Sequence, residues 1–494
     1  MTSKLIVPRR KPFVAGHLRV PWPFVTTRAG RPQPNLHHLA QLPDAQLPRF
    51  VRESTVALRY LRLLGPLAWD RFPERDLDTP WHIPALPYAP LVGAYLVKLD
   101  QHHTYMSQLR QYLVAHPALT WVLGFPLVPS RHYPWGFDVD ASLPTHRHFT
   151  RILRRLPNTS LQFLLDDTVR LLQVALATVV PDFGQTISLD TKHIIAWVKE
   201  NNPKAYVKDR YVKEQQPAGD PDCRLGCKRK HNQRTGPATP TTDAVPANTV
   251  AVGEYYWGYG SGVVATKVPD WGEVVLAELT QTFDHGDVSY FFPLMTDVER
   301  RLGFRPQFGA LDAAFDAFYI YEYFAHDPQD WTAGFAAIPF SQKGGYRRSF
   351  SPAGLPLCEA QLPMPCKLTF TSRTRCIIVH EEARYACPLL FPQPTGRTCP
   401  INHSRWAKGG CVTTMPTSIG TRLRYQLDRD SEQYHQVYQQ RTATERINAQ
   451  AVALGIERPK LRNAQAITNL NTLIYVLINL RTLQRVREKQ AAQD

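Results

Sequence analysis

The hydrophobic period of this chain changes at Pro181, and that change limits the folds open to it. From about residue 45 to 180, apolar side chains recur at spacings of three and four, as in VRESTVALRYLRLL, LVGAYLVKLDQHHTYMSQLRQYLVAH and SLQFLLDDTVRLLQVALATVV. This is the pattern of helices that bury one face. In the last stretch Leu161, Leu164, Leu165, Leu172 and Ala175 fall on one side. Directly afterwards TISLDTKHIIAWV turns Ile187 and Leu189 to one face and Ser188 and Asp190 to the other, the two-residue period of a strand. Helices alone, or sheet alone, do not satisfy both patterns.

Further along, EYYWGYGSG and VVATKV read as strands, DVSYFFPLMTDVERRLGF as a helix, FGALD as a strand ending at Asp312, AAFDAFYIYEYF as a helix and AGFAAIPF as a strand. Three adjoining strands followed by alternating units predict an α/β fold, a mixed sheet with flanking helices. That element order is the one found in a ribonuclease H-like core. The chain then divides into an irregular basic arm over 1–44, a helical DNA-binding region over 45–180, and the first part of the core over 181–340. A β-rich, Cys-containing insertion over 341–429 and a helical completion with a basic tail over 430–494 follow. Forty-two prolines, many of them between residues 8 and 157, keep the N-terminal helices short. Pro459 predicts a helix break around GIERP, 455–459.

Charge narrows the partners. Lys and Arg number 58 against 42 Asp and Glu, a net charge of +16 over 494 residues, which favours a polyanion such as nucleic acid. The basic residues cluster: nine against four acids over 204–234, which includes RLGCKRKHNQR, and nine against three over 441–489. THRHFTRILRR, 145–155, is a third patch. The N-terminus lacks the apolar run of a signal peptide, and LLQVALATVV and LIYVLINL fall short of the roughly 20 residues of a membrane span. A cytoplasmic protein, acting on the nucleoid of a prokaryote and without a membrane partner, is the expectation.

Metal-dependent phosphoryl transfer requires two or three carboxylates converging on one or two Mg²⁺ ions. Asp190 within the first core strand and Asp312 at the end of a later one stand in apolar surroundings where solvated aspartates are not expected. SLDTKHI, GALDAAFDAFY and YQQRTATERINAQ, in that order, resemble the three acidic motifs of bacterial insertion-sequence transposases of the DDE type. They are similar to the group with a Tyr-x₂-Arg-x₃-Glu-x₆-Lys signature. DPDCRLGCKRKHN and YYWGYG between the first two acids, the Cys- and Pro-rich insertion, and AITNLNTLIYVLINLRTL after the third agree, so the resemblance covers about 145–489.

The resemblance implies a metal-binding catalytic triad of Asp190, Asp312 and Glu445, two Mg²⁺ or Mn²⁺ ions, and cleavage at transposon ends followed by 3′-hydroxyl strand transfer into target DNA. Its partners are double-stranded terminal inverted repeats and target DNA, with a homodimer in the synaptic complex. Tyr438 and Arg441 match the pair that positions DNA phosphates and the glutamate. Lys228, Arg229, Lys230 and Lys460 are the further DNA-binding candidates. The chain departs from the signature at one place: Val452 stands where the lysine is expected, and Lys460, Arg458 or Arg462 would have to replace its contact. At 100° per residue, Tyr438, Arg441 and Glu445 fall within about 60° of one another on a helix. An Arg441–Glu445 surface pair worth about 0.3–0.5 kcal/mol gives the same spacing.

Two other readings remain open on the sequence: a structure-specific nuclease on the same core without strand transfer, and a decayed or domesticated transposase that only binds DNA. Asp316 is read as sharing a helix face with Asp312, either supporting the site or exposed, and Asp166 and Asp167 as solvated. Trp257 and Trp406 read as core residues before base-stacking ones. Cys358, Cys366, Cys376, Cys387, Cys399 and Cys411, with His380 and His403, lack Cys-x₂-Cys spacing, so buried or free thiols are favoured over structural zinc. With phosphate contacts from the basic patches, the logarithm of the DNA-binding constant should fall linearly with the logarithm of salt concentration, by about 0.9 for each phosphate contacted. Anisotropy titrations at several NaCl concentrations check this, and affinity independent of salt would contradict it.

Overall fold

A computed structural model describes residues 36–75, 86–228, 254–327, 333–341, 348–374 and 376–492. The chain forms two compact units. One is built on the chain up to Thr168 together with Thr472–Gln484, the other on Val169–Asn471 and the residues from Arg485 onward.

The first unit is helical, as the period predicts. Its main helices are α1 (Leu36–Gln41), α2 (Thr55–Leu64), α3 (Tyr88–Asp100), α4 (Met106–Ala115), α5 (His146–Leu153) and the first half of α6 (Asn158–Leu176). Ser54 starts α2 by accepting the Ala57 N–H at 3.2 Å, and Thr145 starts α5 by accepting that of His148, each satisfying an orphan donor of the first turn. The carboxylate of Asp100 is buried and compensated by Arg59 at 2.6 Å, Arg481 at 2.7 Å and the Tyr60 hydroxyl at 2.9 Å. Three sequence boundaries move. Leu36–Gln41 is helical, so the irregular arm does not extend to 44, and residues 1–35 lie outside the described residues. The unit boundary falls inside α6, not after residue 180, because the helix runs unbroken with Leu161, Leu164, Leu165, Leu172 and Leu176 all fully buried. The C-terminal helix α12 (Ala464–Ala491) lends its middle to this unit. Leu473 to Ile478 are buried on every side, and a helix apolar all round must be covered all round. Asp167, read as solvated, is buried and accepts the Ala68 N–H at 2.7 Å.

The second unit holds a six-stranded mixed sheet: β1 (Thr186–Ile195), β2 (Arg224–Lys228), β3 (Glu254–Val268), β4 (Gly272–Thr282), β5 (Phe308–Leu311) and β6 (Phe335–Ala337). Its order is β4–β3–β1–β5–β6, with β2 paired to the start of β3. β3 runs antiparallel to both of its neighbours, β4 and β1, while β5 and β6 run parallel to β1. The two parallel steps are made through α7 (Phe291–Leu302) and α8 (Phe318–Phe324), as parallel pairing requires. α7 buries Phe291, Leu294, Met295, Val298 and Leu302, a stripe at helical spacing.

EYYWGYGSG and VVATKV, expected as two strands, are the single strand β3, and the third antiparallel strand is GEVVLAELTQT. The glycines that suggest a break are sheet positions facing Tyr290. A Cβ on Gly260 would come within 2.5 Å of the Tyr290 hydroxyl, and one on Gly262 within 2.4 Å of its ring. The glycines therefore admit a buried tyrosine instead of interrupting the strand.

The insertion is β-rich as expected: β7 (Cys366–Ser372), β8 (His380–Ala386) and β9 (Val412–Pro416) form an antiparallel sheet in the order β9–β8–β7. Helix α9 (Ile419–Gln426) follows. It carries Arg424, which grips Asp316 with Nε at 2.7 Å and Nη2 at 2.5 Å. Asp316 also accepts from the Tyr321 hydroxyl at 2.8 Å and from the Ser341 N–H at 2.7 Å. Its carboxylate is 1% exposed, so Asp316 is neither exposed nor part of the acidic pair described below, and serves as a tie between segments. Arg424→Ala leaves that charge buried and unpaired and should cost about 3–5 kcal/mol of stability. Denaturant unfolding measures it, and a midpoint unchanged from the wild type would contradict the assignment.

Candidate active site

Asp190 lies in the middle of β1, and Asp312 directly follows β5. The two strands are parallel neighbours with Leu189 opposite Leu311, so the carboxylates occupy the next position on each, 122 residues apart in the chain and side by side in the sheet. Asp312 caps the turn Ala313–Phe315 by accepting the Ala314 N–H at 2.8 Å. Asp190 accepts the Thr191 N–H at 2.9 Å. Burial pushes the Asp190 carboxyl up to about 6 against the Thr191 hydrogen bond, with the Asp312 and Asp287 charges adding to the rise and Arg441 opposing it. Burial raises Asp312 as well, the Ala314 N–H opposes it, and Asp287 adds to it. Like charges in a poorly hydrated site make each other costly.

The third motif approaches from the helical side. α10 (Glu432–Tyr438) ends at Tyr438, Gln439–Arg441 form one tighter turn, and α11 (Thr442–Ala453) begins after it. The single continuous helix implied by the spacing is therefore interrupted. Its side chains nevertheless meet: the Arg441 guanidinium lies 5.9 Å from the centre of the Tyr438 ring and pairs with Glu445. Tyr434 stacks on Tyr438 with ring centres 5.7 Å apart. Glu445 is half exposed and engaged by Arg441, and its neighbour Arg446 turns away to Glu273 at 2.8 Å. One turn further along α11, Asn448 donates through Nδ2 to the Asp190 carboxylate at 2.9 Å. The other amide atom, Asn448 Oδ1, is buried without a hydrogen-bond partner.

The sequence-predicted residues thus divide. Asp190 and Asp312 are brought together, and Tyr438, Arg441 and Glu445 form a second cluster whose Arg441 charge reaches both aspartates. Glu445 is held in the ion pair and does not complete a three-carboxylate cage; among the described residues no group of three His, Cys, Asp or Glu is arranged to hold a metal ion. The pair with Asn448 offers the donor types a divalent cation takes, two crowded carboxylates and an amide oxygen without a hydrogen-bond partner. Lys228 is exposed at the end of β2, and Lys460 lies 5.6 Å from the Trp197 ring; Arg229 and Lys230 lie outside the described residues. Val452 is 39% exposed, so its substitution for the expected lysine removes a surface charge and leaves the core intact.

Asn448 and Asp287 were not picked out by sequence reasoning. Asn448 sits three residues after Glu445, a spacing that puts both on one side of a helix and could have marked it. Asp287, whose carboxylate accepts from the Thr191 hydroxyl at 2.7 Å, reaches the aspartates only through the tertiary fold. Trp257 is fully buried and donates to the Arg210 carbonyl at 2.8 Å, a core residue. All eight cysteines are free. Burial pushes the Cys411 thiol up to about 12, with Cys387 and Cys358 beside it adding to the rise.

Compared with protein-family models, with curated proteins and with solved structures, the chain matches none. The geometry carries the site alone. In chelator, Asp190 titrates near 3.8 in the unfolded chain and near 6 in the folded one. The folded protein binds the proton more tightly, so this group's contribution falls as pH rises from about 4 to 6, by as much as ~3 kcal/mol. Asp190→Asn should flatten that part of the pH–stability curve and be more stable than wild type at pH 7 in EDTA. Urea unfolding across this range checks it, and parallel curves for the two proteins would contradict it.

Proposed function

We propose that the chain is a DNA transposase of the DDE type, cleaving DNA at transposon ends and transferring the freed 3′-hydroxyl to target DNA on a ribonuclease H-like core. The observation that carries this reading is the convergence of Asp190 and Asp312 on adjacent parallel strands, with the Tyr438–Arg441–Glu445 segment and Asn448 laid against them. The strand order, three antiparallel strands followed by two parallel ones, supports the core assignment. The basic balance of +16 supports a DNA partner.

In this reading Asp190, Asp312 and Glu445 hold Mg²⁺ or Mn²⁺, two ions in the full complex. Such ions supply an activated water or 3′-hydroxyl and charge neutralisation at the leaving oxygen. The protein's own groups do the positioning. Asn448 fixes the rotamer of Asp190 through its 2.9 Å hydrogen bond, and the Thr191–Asp287 bond tethers the residue that follows. Arg441 exchanges Glu445 for a DNA phosphate, which its planar fork suits, and the exchange frees Glu445 to face the aspartates. The Tyr438 hydroxyl is available to the same phosphate. Among the described residues no helix is long and apolar enough to cross a membrane.

A second reading has an observation of its own. Glu445 is tied to Arg441, and the expected lysine is Val452, which favours a chain that keeps DNA binding without cleavage. End-labelled DNA carrying the element's terminal repeats, incubated with Mg²⁺, separates the two. Wild type should nick it; Asp190→Asn, Asp312→Asn and Glu445→Gln should each lose nicking while binding DNA within a few-fold of wild type. Asn448→Leu should lower the apparent metal affinity about 10- to 100-fold. Cleavage retained in Asp312→Asn would sink the assignment. Wild-type binding without any cleavage would favour the second reading, and nicking without joined products in a strand-transfer assay would indicate a nuclease.

A further inference from the structure

Seven residues beyond Asp190 the chain exposes a tryptophan. β1 ends at Ile195, whose N–H is held by the Glu457 carbonyl at 2.8 Å, and Trp197 follows with 42% of its surface exposed. Its neighbours Ala196 and Val198 are buried, so the chain is anchored on both sides of the indole. Asn201 reinforces the anchor, donating to the carbonyls of Ala196 and Trp257 at 2.8 Å each. The indole is therefore presented on fixed backbone.

Around it lies a cleft of about 440 Å³ whose lining includes Trp197, Lys199, Arg458, Lys460 and Arg462 and no carboxylate. Arg462 sits 4.8 Å from the indole centre and donates to the Trp197 carbonyl at 3.1 Å, and Lys460 sits 5.6 Å from the ring. Of the acids adjacent in sequence to the lining, Glu457 is engaged by Lys192 at 3.6 Å and Glu200 is buried. A rigid aromatic surface rimmed by four cations combines what a nucleotide offers, a π-face and phosphates. An exposed indole on anchored backbone, flanked by cations, is a surface on which a base can stack.

We propose that this cleft binds an unpaired nucleotide of a DNA strand, its base on the Trp197 indole and its flanking phosphates on Lys460 and Arg462. The proposal rests on the DNA reading above but not on cleavage. It also assigns Lys460, and the bend after β1 in which the Val198 N–H donates to the Ala196 carbonyl at 2.9 Å, to a nucleotide site seven residues on from Asp190.

The test is fluorescence anisotropy of the full chain in EDTA, with a fully paired duplex and with the same duplex carrying a three-nucleotide single-stranded end. Wild type should bind the tailed duplex more tightly, by roughly 5- to 100-fold. Trp197→Ala should lose that preference while still binding the paired duplex, Trp197→Phe should keep most of it, and Lys460→Ala/Arg462→Ala should lower the salt slope for the tailed duplex by about 2. Equal wild-type affinity for the two duplexes, or an undiminished preference in Trp197→Ala, would overturn the inference and leave the DNA reading standing. Failure of wild type to bind either duplex would overturn both.

Discussion

Two carboxylates forced side by side on adjacent parallel strands, one in mid-strand and one just past a strand end, are the constraint around which the second unit is organised. Asp190 and Asp312 are adjacent because β1 pairs with β5 in parallel with Leu189 opposite Leu311, and that pairing in turn requires the crossover through α7. Burial raises both carboxyls, and Asp287 raises them further. Acids held close in a poorly hydrated site cost stability, and the proposed function reads that cost as the requirement of a cation site.

The helical side answers that repulsion in two ways. Asn448 supplies a hydrogen bond to Asp190, and Arg441 supplies positive charge to both aspartates while bound to Glu445. Arg441 is thereby the hinge of the proposed chemistry. With Glu445 as its partner the third carboxylate is occupied, and with a DNA phosphate as its partner that carboxylate becomes available. In the proposed function, an ion pair worth little as a surface stabiliser is the contact that substrate displaces.

Much of this was legible in the sequence. The change of period at Pro181 separates helical chain from sheet, and Asp190 within one strand and Asp312 at the end of another were recognisable because apolar runs surround them. The third motif was readable through its spacing, although the turn at Gln439–Arg441 splits the expected helix. What stayed hidden depends on tertiary approach. Gly260 and Gly262 look like a strand break until Tyr290 is seen against them; Asp316 reads equally as a support of the site or as exposed until Arg424 arrives from 108 residues away. α6 and α12 each serve both units, which no local pattern encodes. Asp287 reaches the aspartates in the same non-local way, and Trp197 gains its meaning from Lys460 and Arg462, far along the chain.

The central claim is that Asp190, Asp312 and the start of α11 surround one divalent-cation site. Fe²⁺ bound at such a site, with ascorbate and peroxide added, would generate hydroxyl radicals that cut the backbone close to the metal. The account predicts fragments ending near residues 190, 312 and 445–448, suppressed by excess Mg²⁺ and absent in Asp190→Asn. Cuts elsewhere, or cuts at these positions that persist in Asp190→Asn, would contradict it.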